Sequence, residues 1–320
     1  CGCASVASRR PACKTCGFTM NRTATILPLL LVLGFGIAFP SWAGSYTLIV
    51  GLLLCQWIAL TASWPLCGGL AGFISLGHVV FFGIGGYTSM LLWQVVPLWI
   101  AVPAGGLAAG LFALLIGAPV LRVRGPYFVI LTLGIAELVK YLVLLSEKEL
   151  GKSSRLIFGV PSNETLYWAL LALATLAIVI LLIARETRLG HGLIALRDDE
   201  TAAATVGVPV ARYKLAAFTL SAIIPGMVGA LMVLRSAYFD VTQLFNAEIS
   251  FAIVTMAIIG GRDDPRGAVL GAGLLLLISE FLWARAPQIY LILLGVLLIG
   301  FVLFLPRGLA GLLSRRGKAS

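Results

Sequence analysis

An all-α, polytopic transmembrane helix bundle of about ten crossings (eight to ten) is the fold class this sequence predicts, and three observations carry it. Of 320 residues, 60% are hydrophobic and only 11% are charged, against about 45–50% apolar and about 25% charged in soluble domains; the mean hydropathy is +1.04. From Thr23 to Leu121, 99 consecutive residues contain no Asp, Glu, Lys or Arg, whereas about 20 apolar residues already cross a bilayer as a helix. The apolar runs are continuous rather than alternating in segments of about ten, which argues against a transmembrane barrel and leaves helices as the spanning element.

At the N-terminus, Cys1, Cys3, Cys13 and Cys16 make a CxC and a CxxC, a spacing that a zinc knuckle can use. The favoured reading of residues 1–19 is instead a disordered or start-site extension ahead of Met20, with no metal bound. Residues 20–306 read as one transmembrane domain and 307–320 as a basic cytoplasmic tail. Met20 to Ala43 holds either a first helix near Ala24 to Pro40 or a signal peptide ending in the small residues Ser41 and Ala43. The uncleaved helix is preferred, because the next apolar run starts at once and the number of spans stays even. Further spans are expected near Tyr46 to Ser63, Val79 to Val95, Ile100 to Pro119, Tyr127 to Leu145, Leu215 to Leu234, Ser250 to Gly260 and Gly267 to Trp283. Leu166 to Ala184 and Pro287 to Pro306 are charge-free between flanking charges and are unambiguous. Between Leu66 and Gly77, four glycines in twelve residues suit a broken or re-entrant element that faces protein rather than lipid. Gly68/Gly72, Gly106/Gly110 and Gly267/Gly271 each read GxxxG and are expected to let helices approach closely.

The net charge of +10 is what loop orientation in a membrane demands, so no nucleic-acid partner is inferred. With both ends placed in the cytoplasm and ten spans between them, 17 Lys and Arg fall inside and 5 outside, and 14 remain inside without the extension. The chain is therefore expected to cross its membrane many times, with cytoplasmic termini.

The longest polar stretch, residues 185–214, carries helix punctuation. Asp198 and Asp199 can cap a start, Glu200 suits the positive end of the dipole, Gly207 can close the far end and Pro209 forbids continuation. A helix of little more than two turns is too short to stand alone in water. It is predicted to rest on a surface, with the small residues Ala202, Ala203 and Ala204 available for close packing. The run from Thr187 to Gly207 and on to Leu215 resembles the cytoplasmic coupling loop of branched-chain amino-acid ABC importer permeases. Three further stretches agree in order: Gly69 to Tyr87, Leu121 to Lys140 and Ile258 to Gly273. Together the resemblance covers roughly Tyr46 to Pro306 and is nearest to the second of the two permease subunits such importers pair. Thr201-Ala202-Ala203 stands where the broader importer motif has Glu-Ala-Ala, so docking is implied by the subfamily pattern only. The resemblance implies an ABC importer permease fold and a path for branched-chain, hydrophobic amino acids. It also implies two cytoplasmic ATPase subunits, a second homologous permease and a periplasmic amino-acid binding protein. On this reading Arg197, Asp198, Asp199, Glu200, Ala202, Ala203 and Gly207 form the ATPase-docking element. No GxxxxGK[ST] phosphate loop occurs in the chain, so the energy source is expected on partner chains.

Candidate path residues are Ser75, Gly77, His78, Tyr87 and Glu137. The first four fall in the family-like stretch Gly69 to Tyr87, which on this resemblance forms a discontinuous element whose broken helix exposes backbone groups to a zwitterion. His78 can instead bond a freed carbonyl. Glu137 sits mid-span with Lys140 one turn on, either as a pair holding helices together or as part of the path. Glu280 is expected to snorkel or pair with Arg285. An importer of urea or short amides is the alternative reading. An intramembrane enzyme fares worse, because only two histidines exist and no His, Asp or Glu cluster at ligand spacing appears in a span. An ion channel would need a filter motif that the chain lacks. No cofactor is expected.

Overall fold

The computed structural model describes residues 44–149, 155–236, 238–261 and 264–283, together with 34, 36–41, 151, 292, 295, 296, 299, 300 and 309. The cysteine-rich residues 1–19, most of the first expected span, Arg285 and most of the last span lie outside them.

The described helices are α1 (Ser45–Ser63), α2 (His78–Leu92), α3 (Leu98–Val120), α4 (Pro126–Glu149), α5 (Asn163–Glu186), α6 (Arg188–Asp198), α7 (Glu200–Thr205), α8 (Val210–Ser236), α9 (Val241–Leu244), α10 (Ala247–Gly260) and α11 (Pro265–Trp283). Among the described residues, six stretches are long and apolar enough to cross a bilayer unaided: Ser45–Leu70, α3, α4, α5, α8 and Val241–Gly260. The span expected from Ser250 thus begins earlier, at the short α9 capped by Asp240. Punctuation sets the ends. Pro126 opens α4 at the first helical position, where a missing N–H costs nothing, and the Ser162 hydroxyl accepts the Thr165 N–H to cap α5.

Helix α8 is apolar on every side and 78% of its most apolar stretch is buried, the signature of a central helix. It packs on α2 and α3 by backbone approach. A Cβ on Gly85 would strike the Gly226 carbonyl, and one on Gly229 the Phe82 carbonyl. Lipid gives helices no hydrophobic push together, so close van der Waals contact between small residues supplies the association. Gly106 and Gly110 meet Met227 and Ile223 of α8, and Gly271 meets the Met256 carbonyl of α10, as their spacing predicts. Gly68 and Gly72 do not behave so. Gly68 makes room for the Trp64 indole of its own segment, and Gly72 for the Arg197 side chain.

The helices alternate in direction. One end of the bundle gathers the end of α1, the α3–α4 loop, the end of α5, α6, α7 and the start of α8, with Arg124, Arg197 and Lys214 lining one cleft there. At the opposite end, Arg155–Leu156 (β1) and Tyr238–Phe239 (β2) pair antiparallel. There too the Trp93 indole N–H donates to the Phe158 carbonyl at 3.0 Å. Glu280 accepts from the Tyr46 hydroxyl at 2.7 Å, a partner that the sequence does not suggest.

Candidate coupling element and translocation path

After α5 the Thr187 hydroxyl accepts the Gly190 N–H and starts a second, shorter helix. This is α6, which the sequence reading missed. Its signal was present: Leu189, Leu193 and Leu196 recur at helical spacing and pack against Leu66, Leu70, Leu181 and Ala184.

Asp198 ends α6 rather than capping the next helix, and its exposed carboxylate lies 3.8 Å from Arg197 Nε. The neighbouring residue does the capping. Asp199 Oδ1 accepts the Thr201 and Ala202 N–H groups at 2.8 and 3.0 Å and the Thr201 hydroxyl at 2.6 Å. These donors, the hydroxyl foremost, hold its carboxyl below the usual carboxylate range. The far end of α7 closes as a Schellman motif: Val208 N donates to the Ala203 carbonyl and Gly207 N to the Ala204 carbonyl, with Gly207 at φ +91°. The predicted single helix over residues 198–207 is thus a six-residue helix between Asp199 and Gly207.

Its faces differ from expectation. Ala203 turns inward, 6% exposed, against the cluster that contains Leu193, Leu196 and Ala217. Ala202, Ala204 and Thr205 face outward, and Val206 at the tip is 85% exposed. Periodicity could not assign these faces, because which side of so short a helix is covered depends on its neighbours.

Glu200 ties the helix to the bundle. Its carboxylate meets Lys214 Nζ of α8 at 2.9 Å and Arg124 Nη2 of the α3–α4 loop at 3.1 Å. Arg197 Nη1 donates to the Gly69 carbonyl at 2.7 Å. These side chains line an open cleft of about 470 Å³ whose apolar wall includes Phe73, Ile74 and Phe128.

Behind that cleft the chain breaks. Pro65 lacks an N–H, and the helix widens into a π-turn over Leu66–Leu70. After Gly72 (φ +78°) it runs without helix to His78. The 15 residues of α2 rise about 22 Å, short of a hydrocarbon core of about 30 Å. At about 3.3 Å per residue the extended stretch before it makes up the difference. This crossing is therefore discontinuous, as its glycines suggested.

The backbone groups of the break are engaged within the chain. Leu76 N donates to the Thr132 hydroxyl of α4 at 3.2 Å, Gly77 N to Ser75 Oγ at 3.2 Å and Val79 N to Ser250 Oγ of α10 at 3.0 Å. Ser75 and His78 are fully buried. The His78 ring stands edge-on to Phe81 and forms no well-made side-chain hydrogen bond. In this conformation Ser75, Gly77 and His78 form a closed kink rather than an open binding surface, with the three N–H groups bonded within the chain.

The other candidates stand apart. Tyr87 lies more than two turns along α2 and donates to Glu147 Oε1 at 2.8 Å. That carboxylate, 1% exposed, had no signal of its own inside the polar run Ser146-Glu147-Lys148-Glu149. Glu137 sits at the midpoint of α4, 3.2 Å from Lys140, with side-chain exposures of 41% and 18%. Thr132 links the break to this same helix. Among the described residues no three His, Cys, Asp or Glu side chains come together.

The chain is 29% identical to the high-affinity branched-chain amino acid transport system permease protein LivM of Escherichia coli (strain K12), over 92% of this chain and 76% of that protein. The LivM of Salmonella typhimurium (strain LT2) aligns with the same identity and coverage. No solved structure matches the chain. A sequence model of the family described as branched-chain amino acid transport system, permease component, matches residues 47–302. With its spans, its discontinuous crossing and its capped interhelical loop, the chain belongs to that family of transport permeases.

Proposed function

We propose that this chain is one of two permease subunits of an ATP-driven importer, and that the path for branched-chain, hydrophobic amino acids runs between it and the second permease. Separate cytoplasmic ATPases drive it, a periplasmic binding protein delivers the substrate, and the end of the bundle carrying α6 and α7 faces the cytoplasm. One observation carries this reading: α7 stands proud of the bundle with an apolar tip, Val206, in water. A single exposed valine on a polar loop costs little. Here, though, it crowns a helix capped at both ends and pinned by Glu200 to α8 and to the α3–α4 loop, while Arg197 ties the adjoining end of α6 to the π-turn. A push on α7 therefore reaches the break before α2 through Gly69 and reaches α4 through Thr132. The names of the two relatives support the amino-acid cargo.

The test is co-expression with candidate ATPase and permease partners. Cysteine at Ala202 or Val206 is expected to crosslink to an ATPase subunit, and the assembled complex to accumulate labelled leucine, isoleucine or valine. Uptake of urea or a short amide in their place would favour the other cargo. Normal uptake without any crosslink would mean that the ATPase docks elsewhere.

A further inference from the structure

Helix α4 is the least enclosed of the long spans. Only 22% of its most apolar stretch is buried, against 39–78% in the other five. Its inner stripe is Phe128, Thr132, Ala136 and Val139; its outer stripe includes Tyr127, Ile130, Leu138, Tyr141 and Leu145, all more than half exposed. Leucine and isoleucine on that face suit lipid. Glu137, on the flank of the stripe, does not. It lies about 17 Å along a helix of 24 residues, at the depth where ionised groups are most costly, yet two-fifths of its side chain is exposed. Ionisable groups at such depth face a partner or a water-filled cavity. A Cβ on Gly134, one turn before Glu137, would meet nothing within 4 Å, so no neighbouring helix packs on that flank of α4 at Gly134.

We propose that Glu137 and Lys140 form a subsite on the translocation path that takes a zwitterionic amino acid by ion-pair exchange. This rests on the reading of the chain as half of a permease pair. The carboxylate and the ammonium stand 3.2 Å apart and, among the described residues, form their ion pair only with each other. An amino acid carries the same two charges at a similar separation. Its α-ammonium takes the Glu137 carboxylate and its α-carboxylate takes Lys140, so one intrahelical pair becomes two pairs and no charge is left bare. The exchange needs no proton transfer and no net charge movement. A neutral amide cannot perform it, because opening the Glu137–Lys140 pair would leave both charges uncompensated in a low dielectric. The subsite therefore selects for zwitterions irrespective of the side chain, leaving hydrophobic selection to other parts of the assembly.

The experiment compares Glu137→Gln, Lys140→Met and the double variant Glu137→Gln/Lys140→Met in the assembled importer. It measures labelled leucine uptake per complex that co-purifies with the second permease. A subsite predicts at least a tenfold loss in both single variants and the same loss in the double variant at unchanged complex abundance. A structural pair behaves differently, since replacing both partners together relieves the bare charge that each single change leaves. Recovery of wild-type uptake in the double variant would overturn the proposal, as would loss of co-purification, which marks the pair as assembly glue. Failure of the underlying reading looks different again, because the wild-type complex would then import no amino acid at all.

Discussion

Gly207 fixes the end of α7 through its backbone alone. At φ +91° it occupies the left-handed region, which costs an L-residue about 1–2 kcal/mol, and an added Cβ would touch nothing within 4 Å. The penalty is therefore conformational and not steric. Gly207→Val is expected to reduce the population of the closed Schellman turn roughly 5–30-fold and to lower uptake per assembled complex, while Gly207→Asn, which tolerates this region, stays near wild type. Equal uptake in both variants would show that the turn does not transmit force. Asp199 acts from the other end, and its sign can be worked out. Its folded-state carboxyl titrates below the unfolded one, so its capping contribution is fully present above the unfolded value and fades as pH falls through the lowered folded value. From about pH 5 upward the cap is insensitive to pH. Hydrogen exchange at the Thr201 and Ala202 amides is expected to accelerate in Asp199→Ala at pH 7, and to show no cap-dependent change between pH 6 and 8 in the parent chain.

At the scale of the element, α7 stands because it is braced. Six residues make less than two turns, too few to hold a helix in water, so its order depends on Ala203 in the cluster and Glu200 between two cations. The two ion pairs differ in weight. Arg124 is 70% exposed, and a pair of that kind contributes about 0–1 kcal/mol. Lys214 is 15% exposed and meets Glu200 at 2.9 Å, closer to the roughly 1.5–3 kcal/mol of a sheltered charged hydrogen bond. Lys214→Met is thus expected to impair uptake well beyond Arg124→Gln, measured per assembled complex; the reverse order would mean that the brace runs to the α3–α4 loop. The same element marks how far the sequence was readable. Asp199, Gly207 and Pro209 announced the ends of α7 because capping and left-handed turns depend on a few adjacent residues. Ala203 gave no such notice: its three-alanine run looks the same on every side, and only the tertiary neighbours Leu193, Leu196 and Ala217 turn it inward. Val206 was passed over for the same reason, since exposure is a property of the assembled bundle.

For the molecule as a whole, six of the ten expected spans reappear among the described residues as helices long and apolar enough to cross; they were legible because the bilayer sets their length and expels their charges, a constraint that acts residue by residue and needs no knowledge of packing. The break was half legible. Four glycines marked it, but the hydroxyls that satisfy it come from Thr132 and Ser250, 56 and 171 residues away, and no local pattern could pair them. Direction across the membrane is the remaining global property, and the geometry makes it testable. The basic residues Arg124, Arg197 and Lys214 gather at one end, while Phe158 and Val160, 75% and 40% exposed, lie at the other beside the β1–β2 pair. An excess of Lys and Arg marks the cytoplasmic side because translocating them is costly. Cys55 and Cys67 are buried, so in a variant lacking Cys1, Cys3, Cys13 and Cys16 an impermeant thiol reagent reports on introduced cysteines. Val160→Cys is expected to label in intact cells, and Thr205→Cys only after permeabilisation. Labelling of Thr205→Cys in intact cells would invert the molecule, place α7 in the periplasm and remove it from the reach of any cytoplasmic ATPase.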